Sequence, residues 1–202
     1  MRVVSLSDFG HALDAAVDVL ASGGVVVIPT DTVYGLVARL HDQDAIDKVF
    51  ELKRRADRRP MAVLVGSMKQ ALALCEADDR CMRVMRSFWP GPLTLVLPRS
   101  PSLDADLGGS GDSVGVRWPR SRFVTELATR VGPIVASSAN LSGTETPTGA
   151  GGVIEMLQGR LDLVVDGGEL GRRASTVADV STGELVVLRE GPVLSEDLRR
   201  AW

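Results

Sequence analysis

The chain is poor in the residues from which many active sites are built. Its 202 residues include two histidines, two cysteines and one tyrosine. His11 and His41 are too little material for a histidine-centred triad or a histidine-rich metal site. Cys75 and Cys81 fall in apolar helical patterns without zinc-ligand spacing, so both read as core packing in a reducing compartment, and no metal site is expected. No apolar run approaches the roughly 20 residues that span a bilayer, and residues 1–8 are too short and too polar for a signal peptide. An excess of one charge is lacking too. Lys and Arg number 23 against 26 Asp and Glu, a net charge of −3, which excludes a globally basic nucleic-acid binder and leaves room for a local patch. With 45% hydrophobic and 24% charged residues, the expectation is one cytoplasmic domain over residues 1–202 with no membrane partner.

What is present is organised around residues 23–36. Residues 25–28 are an apolar, β-branched run, the pattern of a strand buried on both faces. Pro29 marks where that strand leaves its sheet, because it has no amide hydrogen for a ladder. Thr30, Asp31 and Thr32 then sit at the strand's carboxyl end, where open α/β sheets bind ligands. Tyr34 reads equally as packing or as chemistry. A second polar exit follows residues 133–136, with Ser137, Ser138, Asn140 and Ser142. Such a turn can simply satisfy its own backbone, but two polar exits on one sheet suggest a shared pocket. Between them lies Lys53-Arg54-Arg55-Ala56-Asp57-Arg58-Arg59. A helix C-terminus accounts for one or two of these cations; the density suits an anion, either the phosphates of a nucleotide or an RNA backbone.

The remaining pattern alternates helices and strands. Helices are expected over 8–21 with Ser7 as N-cap, 42–54 with Asp42 or Asp44 as cap, 67–75 capped by Ser67, 78–88, 121–131, 153–158 and 195–202. Strands are expected over 61–65, 93–97, 113–117 and 161–165, with a hairpin of 177–180 and 184–188. Residues 98–111, rich in Pro, Ser, Asp and Gly, read as a mobile connection, either a lid or a plain exposed loop. Arg117, taken alone, is either an exposed edge residue or a ligand for a carboxylate or phosphate.

In order and spacing, Pro29-Thr30-Asp31-Thr32-Val33-Tyr34-Gly35-Leu36, Lys53-Arg54-Arg55 and Ser138-Ala139-Asn140-Leu141-Ser142-Gly143 resemble the YrdC-type (TsaC-like) threonylcarbamoyl-AMP synthases. Ser175-Thr176 and Leu188-Arg189-Glu190-Gly191 extend the likeness, which fits the short, single-domain form with residues 192–202 as a C-terminal tail or helix. The resemblance implies an α/β fold with a twisted mixed β-sheet and flanking helices around a concave basic face. It implies condensation of L-threonine, bicarbonate and ATP, with Mg²⁺, to threonylcarbamoyl-AMP and pyrophosphate. A tRNA-modifying transferase complex would pass the group to adenosine 37 of tRNA. By the same resemblance, Lys53 and Arg55 hold ATP phosphates and carry the catalysis. Ser113, Ser138, Asn140, Thr146 and Arg189 belong to the nucleotide site, and Thr32, Arg117, Ala136 (through its backbone) and Ser175 to the threonine site. Three positions depart from the family pattern. Arg59 stands where many relatives have asparagine, Leu64 where long forms have histidine, and Val37 where a glycine is common. The competing readings are a non-catalytic module that binds tRNA or double-stranded RNA through its basic face, and a paralogue without synthase activity.

Overall fold

The apolar runs of the sequence become neighbours in a single mixed sheet. The computed structural model describes residues 1–54, 58–158 and 160–202. In chain order its elements are β1 (Arg2–Ser5), α1 (Phe9–Ala21), β2 (Val26–Ile28), β3 (Gly35–Arg39), α2 (Gln43–Leu52), β4 (Ala62–Leu64), α3 (Met68–Leu74), α4 (Asp79–Phe88) and β5 (Leu93–Pro98). There follow β6 (Ser113–Arg117), α5 (Arg122–Val131), β7 (Ile134–Ser138), α6 (Ala150–Met156), β8 (Leu163–Asp166), β9 (Thr176–Asp179), β10 (Val186–Arg189) and α7 (Ser195–Ala201). The strand order is β1-β8-β2-β3-β7-β4-β6-β5-β9-β10. The pairs β1/β8, β2/β8, β4/β6 and β5/β9 are parallel and the others antiparallel. The α/β architecture and mixed sheet expected from the sequence are therefore present.

Helix starts follow short polar side chains that accept an otherwise unpaired amide. Asp42, Ser67, Asp78 and Ser121 cap α2, α3, α4 and α5 in this way, each worth about 1 kcal/mol. At α1 the cap is Asp8, accepting from the His11 amide, and not Ser7; the Ser7 side chain instead bonds Ser5. Two strands escape the sequence reading. The strand β1 is short and largely exposed, and β3 is buried on both faces, so neither shows period-2 alternation.

The pleat divides the core in two. Val26, Ile28, Val37, Ile134, Leu163 and Val165 face α1 and α5, whose Phe9 and Phe123 rings meet edge to face at 5.9 Å. Their strand neighbours Val27, Leu36, Ala38, Val135 and Val164 face the other layer, with Ile46 and Val49 of α2, Val84 and Met85 of α4, Val153 of α6 and Leu198 of α7. The α1/α5 layer takes residues from β1, β8, β2, β3, β7 and β4, but none from β6, β5, β9 or β10. Among the described residues, this layer therefore leaves four of the ten strands uncovered on that face.

Residues 98–111 are not a free lid. Leu103, Ala105 and Leu107 are buried, the Arg99 guanidinium donates to the Leu103 and Ala105 carbonyls at 2.8 and 2.5 Å, and the Met61 amide donates to the Leu107 carbonyl at 2.9 Å. Among the described residues no helix is long and apolar enough to cross a membrane.

Both cysteines are buried. Burial pushes the Cys75 thiol up to about 12 and the Cys81 thiol up to about 11, so neither forms the reactive thiolate near neutrality. We expect a thiol reagent at about pH 8 to label neither cysteine in the folded protein and both after denaturation; fast labelling of the native state would place a thiol outside the core.

Candidate active site

The uncovered part of the sheet face holds a cavity of about 480 Å³. Its floor follows from register. Ala136 of β7 pairs with Ala62 of β4, Ala62 with Gly115 of β6, Gly115 with Val96 of β5, and Val96 with Asp179 of β9. All five line the cavity. Three of them have a methyl group or no side chain, so the floor is low where a ligand would lie. One further residue pair along, Leu64 opposes Arg117 and Val177 opposes Arg189, and these four line it as well. Ser113, Ser138 and Arg59 lie on the lining from the other direction.

Arg117 is the best-determined side chain of the site. It is 5% exposed. Its Nε donates to the Gly91 carbonyl at 3.1 Å, Nη1 to Thr32 Oγ1 at 3.0 Å and Nη2 to Asp31 Oδ1 at 2.6 Å. Burial pulls the guanidinium pKa down and Asp31 opposes that shift; an arginine keeps its proton in either case. Thr30 Oγ1 donates to the Val33 carbonyl at 2.7 Å and accepts from the Thr32 and Val33 amides at 3.1 and 3.3 Å, and the two threonine hydroxyl oxygens lie 3.1 Å apart. With Arg117 donating to one lone pair of the Thr32 oxygen, the other is left to accept from a ligand.

A second polar group lies at the β9–β10 edge. Ser175 Oγ is 2.9 Å from Thr94 Oγ1, and Arg189 donates to the Ser175 carbonyl at 3.0 Å and to its hydroxyl at 3.2 Å. Burial lowers the Arg189 pKa. Arg189 reaches the cavity because the register slips after Val187. Val187 pairs with Ala178, yet Arg189 pairs with Val177, leaving Leu188 as a bulge. In a regular strand residues 187 and 189 would share a face; the bulge sends Val187 to the core and Arg189 to the cavity.

Of the residues expected from the sequence, Thr32, Ser113, Arg117, Ala136, Ser138, Ser175 and Arg189 line this one cavity. Ala136 is on the lining, with its backbone in the ladder between β3 and β4. Lys53, Asn140 and Thr146 are not on the lining. The buried Lys53 ammonium donates to the Ser138 carbonyl, to the Asn140 carbonyl at 2.8 Å and to Asn140 Oδ1 at 3.3 Å. Thr146 donates to Asn140 Oδ1 at 3.2 Å, and Asn140 Nδ2 donates to the Leu141 and Thr144 carbonyls. These three side chains shape the turn that presents Ser138. Arg55 lies outside the described residues. Arg59, a departure from the family pattern, does line the cavity and donates to Ser142 Oγ at 3.0 Å. Thr94 escapes the sequence reading, and Asp31, placed by that reading at the strand's carboxyl end, has its side-chain partner Arg117 86 residues away. Tyr34 is buried and lines the cavity, and its hydroxyl donates to the Gly168 carbonyl at 2.7 Å and accepts from the Gly167 amide at 3.0 Å.

An open mixed sheet whose uncovered face carries one buried arginine, two more exposed ones, buried hydroxyls and a low floor defines a binding site for small charged molecules. The chain belongs to the Sua5/YciO/YrdC family, whose model, described as telomere recombination, matches residues 18–191. It is 37% identical over 187 residues to a threonylcarbamoyl-AMP synthase of Pyrococcus abyssi, an alignment that covers 90% of this chain and 54% of that one. The chain thus spans about half the length of that curated relative. The crystal structure of P. abyssi Sua5 complexed with L-threonine matches with a TM-score of 0.90 at 35% identity, over 99% of this chain and 60% of that chain. The crystal structure of E. coli YciO matches with a TM-score of 0.86 at 25% identity, over 93% of each chain.

The Ser175–Arg189 corner depends on Gly191. A Cβ there would lie 2.3 Å from the Thr176 nitrogen and 2.4 Å from the Ala174 oxygen, both backbone atoms that cannot swing aside. Gly191→Ala should therefore cost about 1–3 kcal/mol in urea unfolding; an unchanged midpoint would show that this corner relaxes freely.

Proposed function

We propose that the protein is a threonylcarbamoyl-AMP synthase, condensing L-threonine, bicarbonate and ATP into threonylcarbamoyl-AMP and pyrophosphate. The observation that carries the proposal is the Arg117–Thr32 pair, which sets guanidinium donors beside a hydroxyl acceptor in a buried corner. A zwitterionic amino acid needs that pairing: donors for its carboxylate, an acceptor for its ammonium. The relative solved with L-threonine shares the fold. ATP extends along the floor toward Ser113, Ser138 and Arg59, with Arg189 near the reacting phosphate.

The chemistry asks for positioning and charge neutralisation more than for a protein nucleophile. The threonine ammonium first gives a proton to solvent; the free amine then adds to the bicarbonate carbon and water leaves, giving a carbamate. A carbamate oxygen then bonds to the α-phosphorus while the bond to the bridging oxygen breaks, and pyrophosphate departs with that electron pair. Arg117 holds the amino-acid carboxylate, Thr32 and Ser175 fix the nitrogen end, and Arg189 faces charge that grows as the carbamate forms. Lys53 acts through the turn it shapes beneath Ser138. Among the described residues no cluster of three His, Cys, Asp or Glu side chains is placed to hold a metal, and Asp179 is the one carboxylate on the described lining. Mg²⁺ therefore fits as a companion of the ATP phosphates, which with water supply most of its ligands. The product is a mixed anhydride whose natural consumer is a transferase acting on tRNA. A non-catalytic RNA module is the weaker reading, because a phosphate backbone has no use for buried hydroxyls set in a cavity.

Pyrophosphate release from MgATP should require threonine and bicarbonate together. Release that ignores either one, or none at all, overturns the assignment. Arg189→Met should lower turnover about ten- to a hundredfold, the worth of one charge-assisted hydrogen bond of about 1.5–3 kcal/mol; steady-state rates at saturating substrates check it.

A further inference from the structure

The carboxylate of Asp31 has no part in the reaction as proposed above, yet it is among the most tightly held groups near the cavity. Its Oδ1 accepts from Arg117 Nη2 at 2.6 Å and its Oδ2 from the Arg120 amide at 3.0 Å. The two side chains are 6% and 12% exposed for Arg117 and Asp31. Asp31 is thus fixed at both oxygens, by the last residue of β6 at Oδ1 and by the β6–α5 connection at Oδ2. We propose that Asp31 is a positioning residue for the amino-acid substrate: it stays on Arg117 when threonine binds and aims the guanidinium at the substrate carboxylate. This inference rests on the reading of Arg117 as the carboxylate site.

Three observations support it. A guanidinium has five N–H donors, and Arg117 spends three, on Gly91, Thr32 and Asp31, leaving two. A substrate carboxylate can therefore bind without displacing Asp31. Second, Arg117 is gripped along its length, by Gly91 at Nε and by Asp31 and Thr32 at its two ends, so the remaining donors have one direction available. Such pre-organisation removes an ordering cost from binding. Third, the pair is neutral as a unit. A neutralised guanidinium favours a zwitterion over a polyanion, whereas the bonds of Arg189 go to the uncharged Ser175. The cavity therefore divides its cations: Arg117 for the amino acid, Arg189 for phosphate.

Asp31→Asn keeps the size and one acceptor but removes the charge and the second carboxylate oxygen. In this variant the KM for threonine should rise about tenfold or more, with the KM for ATP changed by less than about twofold and kcat at saturating threonine largely kept. A purely structural part would move both KM values together or neither, and either outcome overturns the proposal. A complementary measurement uses the unaltered protein and survives a failure of the variant to fold. In a crystal structure with threonine bound, Asp31 Oδ1 should remain within hydrogen-bond distance of Arg117 Nη2. Threonine's carboxylate in place of Asp31 on that nitrogen would overturn it. Failure of the unaltered protein to bind threonine would overturn the reading of Arg117 and this inference with it; threonine binding that Asp31→Asn leaves intact would overturn this inference alone.

Discussion

A guanidinium that is 5% exposed is the constraint around which the site is assembled. Removing one partner of a buried ion pair costs on the order of 3–5 kcal/mol, a large share of the 5–15 kcal/mol by which domains are stable. Arg117 is acceptable only because separate stretches of chain converge on it: the Thr30–Val33 turn brings Asp31 and Thr32, the turn after α4 brings the Gly91 carbonyl, and Asp31 is in turn held by Arg120. The same contacts that satisfy a buried charge also hold three loops in one place. Stability and ligand geometry are here served by one set of hydrogen bonds.

The second condition is unequal coverage of the sheet. Helices α1 and α5 bury one face from β1 to β4 and stop. Beyond them the opposite face of the same strands remains packed, with Leu95, Val116 and Ala178 in the core. The strands of the site are therefore rigid from behind while open in front, which suits side chains that must be held to a fraction of an ångström. The floor of Ala136, Ala62 and Gly115 belongs to this arrangement. Large residues there would fill the opening that the absent helix leaves.

Much of this was legible in sequence because its signals are local. Apolar periodicity located the helices, Asp42, Ser67, Asp78 and Ser121 marked their starts, and the polar exits after Ile28 and Ala136 pointed to the sheet end that holds the cavity. What escaped depends on distance along the chain. Asp31 and Arg117 are 86 residues apart, Thr94 and Ser175 are 81 apart, and no local pattern announces either pair. The basic run at Lys53 was read by composition, which says that cations are dense but not where each ammonium points; Lys53 turns inward to the carbonyls of Ser138 and Asn140. Residues 98–111 have the composition of a loose loop, yet Leu103, Ala105 and Leu107 are spaced two apart and go into the core. Spacing outweighed the Pro, Ser and Gly around it.

The bulge at Leu188 gives β10 one residue more than its partner strand requires. That surplus separates two properties that strand length normally joins. Losing either Val187 or Leu188 would restore regular pairing and still leave the arginine opposite Val177. An extra residue also sharpens the local twist of an edge strand, and β10 is the sheet's edge on the β9 side. Which side chain the outer strand turns toward the cavity is thus a matter of chain length as much as of residue type.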